Sequence, residues 1–317
     1  MREVLRGGIA LLCALPTCAA LPQQSGDASD QTIPIRQVAD GLYVLGNSDT
    51  FSGGNVAVLV GPDGLLLVDA KGESFSEAMA AAVRMLSDKP VRFIVNTHCH
   101  ADHVGGNAAF QRAGTTVVAQ TNVYRRLQPA QRIECERGGA GSPNVTFDTE
   151  LTLYFADEAI VVTALPVGHT DGDVIVYFKN ANVVHVGDAF AWPVPFHSKG
   201  AGGAALGLAD ALRKIVALVP VDATVIPGHG AQASVSDIRR TITVLDGVEN
   251  AIAQQVRAGK TLDEVRAMNL LEPWKDALGE EMDWTLMALY EALAGAAQVR
   301  QSSRVRPRDT SSRRRAP

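Results

Sequence analysis

The chain has 317 residues, 46% hydrophobic and 20% charged, with 29 Gly and 15 Pro. These proportions exclude a small disulfide scaffold, a collagen-like repeat and wholesale disorder, and the length is enough for one large domain with a sizeable core. The net charge of −5 is uneven: residues 300–317 hold seven Arg and one Asp, leaving 22 basic against 33 acidic residues elsewhere, a body that repels phosphate backbones and argues against a nucleic-acid substrate.

Arg2 and Arg6 precede an apolar run over 7–15, and small residues follow at Cys18, Ala19 and Ala20. This predicts a secretory signal over 1–20 cut after Ala20. Pro16 and Pro22 interrupt a run already shorter than the ~20 residues of a membrane span, so the membrane is met only during export and the mature protein is periplasmic or secreted. A polar linker (21–32), one domain (33–299) and a solvated, disordered Arg-rich tail (300–317) complete the expected organisation. Of four cysteines, Cys13 and Cys18 leave with the signal, and Cys99 and Cys135 are expected to be free thiols.

The domain alternates strand-like and helix-like segments. β-rich runs at 55–60 and 65–69 flank Gly61-Pro62-Asp63-Gly64 and predict a hairpin. Ser74 and Glu77 have capping-box spacing before a helix whose apolar face runs from Phe75 to Leu86. Strands are predicted at 91–96, 115–119, 160–165, 174–178, 183–186 and 223–226. Helices are predicted at 204–219, after Ser234 and Asp237, and after Thr261 and Glu264. Strands apolar on both faces, interleaved with amphipathic helices, imply an α/β fold of sheet layers between helix layers.

Histidine supplies the sharpest signal. Three of the seven, His98, His100 and His103, lie within six residues that also hold Asp102, directly after a strand. Extended backbone sends His98 and His100 to one side and Cys99 to the other. Three more potential ligands follow β-rich runs, each beside glycine: His169 after Gly168, Asp188 after Gly187, and His229 between Gly228 and Gly230. Imidazoles and carboxylates without thiolates suit an open, catalytic metal site better than a closed structural one. His185, of opposite parity to Asp188 on its strand, is expected to be structural. His197, in an aromatic-rich loop, and Phe51, in a Gly-rich turn, are candidate substrate contacts, with plain packing the competing reading.

The motif His98-x-His100-x-Asp102-His103, with His169, Asp188 and His229 behind it, resembles the metallo-β-lactamase superfamily over roughly residues 40–230. The resemblance implies a four-layer αβ/βα sandwich with a dinuclear site at one edge. One metal would be held by His98, His100 and His169 and the other by Asp102, His103 and His229, with Asp188 bridging and Asp69 orienting the ligand loop. It implies two zinc ions, with iron or manganese as alternatives, and hydrolysis of a small molecule by a metal-bridging hydroxide, Asp102 also relaying a proton.

Within that family Asp188 is similar to the broader hydrolases, including thioesterases and lactonases, whereas the best-known zinc β-lactamases carry Cys there or lack the ligand. The Lys that grips the drug carboxylate in the Cys-containing enzymes, three residues later, is Ala191 here; Lys199 and Arg213 are distant substitutes. A β-lactam, opened with modest efficiency, is the leading expectation. A lactone or thioester hydrolase, an iron-dependent persulfide dioxygenase and a non-catalytic metal-binding protein are the alternatives.

Overall fold

The computed structural model describes residues 32–46, 53–128, 135, 141–190 and 197–305. The expected signal, most of the linker, Phe51 and Ala191 therefore lie outside the described residues. Among the described residues no helix is long and apolar enough to cross a membrane.

Two sheets form the centre. The first runs in spatial and sequence order through β1 (Ile35–Ala39), β2 (Leu42–Leu45), β3 (Val56–Gly61), β4 (Gly64–Val68), β5 (Val91–Val95), β6 (Thr116–Gln120) and β7 (Val145–Phe147). Its first four strands are an antiparallel meander and its last four are parallel. The second sheet contains β8 (Glu150–Phe155), β9 (Glu158–Ala164), β10 (Val174–Phe178), β11 (Val183–His185), β12 (Thr224–Ile226) and β13 (Ala233–Ser234), antiparallel except for the β11–β12 pair.

Side chains alternate between the faces of each strand, and both faces are apolar. Ala57, Leu59, Leu66, Val68, Val95 and Val118 meet Ile160, Val162, Val174, Val176 and Phe178 between the sheets. From the same first-sheet strands, Val56, Val58, Leu65, Leu67, Ile94 and Val117 point outward, onto Met79, Ala82 and Val83 of α1 (Ser76–Leu86) and Phe110 of α3 (Asn107–Arg112). The outer face of the second sheet, through Ile175, Val184 and Val225, is covered by α5 (Leu208–Leu218), α6 (Val235–Arg257) and α9 (Met282–Val305). The shorter helices are α2 (Ala101–Val104), α4 (Thr121–Arg126), α7 (Leu262–Ala267) and α8 (Lys275–Leu278), and the result is the expected helix–sheet–sheet–helix sandwich.

Capping boxes form at Ser234–Asp237 and Thr261–Glu264 as their spacing predicts. The one expected at Ser74–Glu77 does not. The chain enters α1 through a 3-10 turn (Glu73–Phe75) that contains Ser74, so Ser74 is no N-cap, and Ser76 Oγ instead donates to the Glu73 carbonyl. At the other end, α9 continues to Val305, into the segment expected to be a tail.

Candidate metal centre

Every charged or imidazole group singled out in the motifs follows the carboxyl end of a strand on one edge of the sandwich. Asp69 follows β4, and His98 and His100 follow β5. Asp102 and His103 lie on the short helix α2 (Ala101–Val104), His169 between β9 and β10, Asp188 in the 3-10 turn Gly187–Ala189 after β11, and His229 after β12. Strands end there because their backbone turns sharply. At β4, Asp69 and Lys71 both have positive φ (68° and 57°), an uncommon conformation for non-glycine residues that reverses the chain within three positions.

The fold gathers seven side chains into two groups: His98, His100, His169 and Asp188, and Asp102, His103 and His229. In the first, His100 Nδ1 lies 3.0 Å from both His98 Nε2 and His169 Nε2, and Asp188 Oδ2 lies 3.7 and 3.5 Å from those same Nε2 atoms. In the second, Asp102 Oδ2 is 2.9 Å from His229 Nε2 and 3.4 Å from His103 Nε2, and the two Nε2 atoms are 3.2 Å apart. Asp188 stands between the groups, with Oδ1 3.3 Å from His103 Nε2 and Oδ2 3.5 Å from His229 Nε2.

The cluster holds fewer protons than its nitrogens and oxygens could share. Asp69 Oδ1 accepts the Thr97 backbone N–H and Oδ2 accepts the Thr97 hydroxyl, each at 2.7 Å. That hydroxyl has one proton, so toward His98 Nδ1 (3.0 Å) it accepts, placing the proton on Nδ1 and leaving Nε2 as a lone pair. His103 Nδ1 donates to Asp69 Oδ2 at 2.8 Å, turning its Nε2 toward the cluster. His100 Nδ1 can share a proton with only one of its two Nε2 neighbours, whereas a cation satisfies all three nitrogens. Asp188 Oδ1 is buried and accepts no well-aligned hydrogen bond. Converging lone pairs, an unsatisfied buried carboxylate oxygen and an all-nitrogen-and-oxygen donor set fit divalent metal.

The electrostatics divide along the same line. Burial, aided by the neighbouring imidazoles, holds His98 well below its usual range and His100 at about 4, so both are neutral. Burial also opposes charge on His103 and His229, but the carboxylates outweigh it: Asp102, Asp188 and Asp69 raise His103, and hydrogen bonds to Asp102 and Asp188 lift His229 to about 9. Burial likewise opposes charge on Asp102 and Asp188, yet the imidazoles, led by His103, keep both well below the normal carboxylate range.

Three supporting features lay beyond the motifs. The buried Asp173 accepts the Thr170 N–H at 2.8 Å and the Thr170 hydroxyl, clamping the turn that presents His169. Burial raises its pKa to about 6 against the pull of His169 and the Thr170 hydrogen bonds. A carboxyl whose folded pKa is raised favours folding most below its unfolded value near 3.8, and that contribution fades as pH rises to about 6. Asp173→Asn mimics the protonated acid, so its stability relative to wild type should improve by on the order of 2–3 kcal/mol between pH 4 and pH 7, read by denaturant melts. No pH dependence of that difference would place the titration elsewhere. The buried Lys71 donates to the carbonyls of Gly53 (2.9 Å) and Gly54 (2.8 Å); burial lowers its pKa to about 8, with Asp102 pulling upward.

Third, Cys99 and Cys135 are not the free thiols expected but form a disulfide, with Cα atoms 5.2 Å apart. Cys99 points away from its histidine neighbours, as its parity predicts, and both sulfurs lie in an apolar cluster with Val104, Ala119, Val123 and Leu127. With Cys13 and Cys18 set aside in the expected signal, the two remaining cysteines were the sequence's sign of pairing. Closing a loop across a separation of 36 stabilises by about 2–4 kcal/mol, so Cys135→Ser should lower the thermal midpoint clearly in a calorimetric scan.

His185 is structural as expected, buried with Nε2 3.0 Å from the Asn55 carbonyl oxygen. His197 is half-buried against the Trp284 ring of α9, centroids 4.9 Å apart, which favours packing over substrate contact. Lys199 and Arg213 are exposed and engaged in surface ion pairs, with Glu291 and with Asp210 and Asp246.

Comparison with known proteins agrees with this architecture. The family model described as the metallo-beta-lactamase superfamily matches residues 49–229, more than half of the chain. A metallo-beta-lactamase from Pontibacter korlensis superposes with a TM-score of 0.58 at 21% identity, covering 68% of this chain and 99% of that one. The DIM-1 metallo-beta-lactamase gives 0.57 at 17% identity, covering 68% and 98%. A hydroxyacylglutathione hydrolase from a Synechococcus species is 34% identical over 127 residues, 38% of this chain and 44% of that protein. A linear primary-alkylsulfatase from a Pseudomonas species is 38% identical over 65 residues, 20% and 12%. The chain thus spans less than half the length of either curated relative. It belongs to the metallo-β-lactamase superfamily, a family of metal-dependent hydrolases.

Proposed function

We propose that the protein is an exported hydrolase with a dinuclear zinc centre that opens a strained cyclic amide, a β-lactam, with modest efficiency. The observation that carries the two-ion centre is Asp188, whose two buried oxygens face His98 and His169 on one side and His103 and His229 on the other; the β-lactam part of the reading draws on the likeness to solved metallo-beta-lactamases. His98, His100 and His169 would hold one ion, Asp102, His103 and His229 the other, and Asp188 would bridge them. Bound there, two such ions supply a water activated near neutral pH and a Lewis acid for the substrate carbonyl.

The chain's own contribution is orientation and proton handling. Thr97 and Asp69 fix the tautomers of His98 and His103, and Asp173 fixes the turn of His169. Asp102 is the carboxylate open to solvent, its side chain 38% exposed against 3% for Asp188, so it is the group placed to accept a proton from water or return one to a leaving amine. The disulfide supports export, because such bonds persist in oxidising compartments.

With Lys199 and Arg213 occupied on the surface, nothing described replaces a carboxylate-gripping lysine. A lost charge-assisted contact of about 1.5–3 kcal/mol weakens capture by roughly 10–100-fold. Steady-state assays should show slow β-lactam hydrolysis with a high KM, abolished by a chelator. A second reading, lactone or thioester hydrolysis, draws on the bridging Asp188 and on the similarity to a hydroxyacylglutathione hydrolase. It replaces the first if fully loaded protein ignores every β-lactam class yet cleaves one of those esters.

A further inference from the structure

Lys71 is almost fully buried, 2% exposed, and a buried ammonium is costly unless its donors are used. Two of its three N–H donors go to the Gly53 and Gly54 carbonyls, and the cation lies 5.8 Å from the Phe75 ring centroid. Its side chain therefore ends on a short backbone strap, and the rest of that strap is equally tied down. Asn55 N donates to the Gly228 carbonyl at 2.7 Å, and Asn55 Nδ2 donates to the carbonyls of Pro227 and Gly230, both at 2.9 Å, bracketing His229.

The strap also touches His103. A Cβ built at Gly54 would overlap the Cε1 of His103 and lie 2.9 Å from its Nε2, so the bare Gly54 backbone is packed on the imidazole edge that faces the cluster. Asp69, two positions before Lys71, holds the opposite nitrogen of the same ring at 2.8 Å. His103 is thus gripped between two products of one left-handed turn: Asp69 directly, and Lys71 through the strap it pins.

We propose that Lys71 is a positioning residue of the Asp102–His103–His229 half of the centre, setting the affinity and geometry of the metal ion held there by fixing the Gly53–Gly54 carbonyls against His103. This rests on the dinuclear reading. Buried as it is, Lys71 is not a substrate contact, and its effect reaches the ion only through the strap and the ring. Removing an outer partner of a ligand typically costs about 10–100-fold in metal affinity, which sets the expected scale.

The test is Co(II) titration of full-length wild-type protein, Lys71→Met and Lys71→Gln, following d–d absorption together with the thermal midpoint. Wild type should take up two ions. Lys71→Met should bind one of the two ions about 10–100-fold less tightly with an altered spectrum, and leave the other within about threefold. Lys71→Gln, which keeps two N–H donors on a shorter side chain, should lose less, about 3–10-fold. Folded Met and Gln variants with wild-type affinity and spectrum overturn the role of Lys71 while leaving the centre intact. If the Met variant fails to fold, the Gln variant decides by the same criterion, and failure of both makes Lys71 a requirement of folding, which also overturns the proposal. Wild type that binds no cobalt refutes the centre itself, and Lys71's role with it.

Discussion

Asp188→Asn should lose nearly all activity and at least one metal ion while keeping a folded chain. The substitution preserves volume but removes the charge facing four imidazoles and replaces one acceptor with an amide donor. An outer partner typically contributes about 10–100-fold to metal affinity or activity, so loss of a group shared between two ions should exceed about 100-fold in kcat/KM. Asp188 ends a strand inside a 3-10 turn at the rim, away from the apolar layer between the sheets, so circular dichroism should report little change. A variant retaining more than a tenth of wild-type activity would remove Asp188 from the reaction.

Gly228→Ala should be nearly as damaging without altering any donor. A methyl at Gly228 would overlap Asp188 Oδ1 and sit 2.7 Å from the Gly187 carbonyl carbon and 2.8 Å from the Asp188 nitrogen. Two of these three are backbone atoms, themselves tied by the Gly228 N–H to the Gly187 carbonyl at 2.7 Å, so the conflict must be relieved by moving Asp188. Overpacking of this kind costs about 1–3 kcal/mol of stability. The larger expected effect is on metal affinity, more than about 10-fold by the scale of ligand-orienting partners. Unchanged metal binding and kinetics would show that the turn yields freely.

The glycine beside each motif residue was legible as a sign of close approach, though not the particular overlap that makes Gly228 irreplaceable. The histidine pattern was legible for a related reason: a strand end converts alternation in sequence into convergence in space, so His98 and His100 face the site while Cys99 faces an apolar cluster. The layered fold was legible because its central strands, such as Gly64–Val68, are buried on both faces and read as unbroken apolar runs. The strands β1, β2, β7, β8 and β13 were not anticipated: β1, β7 and β8 hold no fully buried residue, and β2 and β13 are only four and two residues long.

What stayed hidden depends on contacts that only the folded backbone makes. Lys71 becomes informative only once the fold brings Gly53 and Gly54 to its ammonium, and Asp173 only once the Thr170 turn closes on it. The Cys99–Cys135 bond spans a loop whose closure no local pattern announces. The Ser74–Glu77 spacing misled because two helical forms compete at that entry, and the 3-10 turn took the serine into its interior.

Whether five imidazoles and two carboxylates form one two-ion centre is decided by elemental analysis of the purified full-length protein after zinc reconstitution and exhaustive dialysis. Wild type should retain two zinc ions per chain and Asp188→Asn fewer. One ion or none per wild-type chain would contradict the two-ion centre.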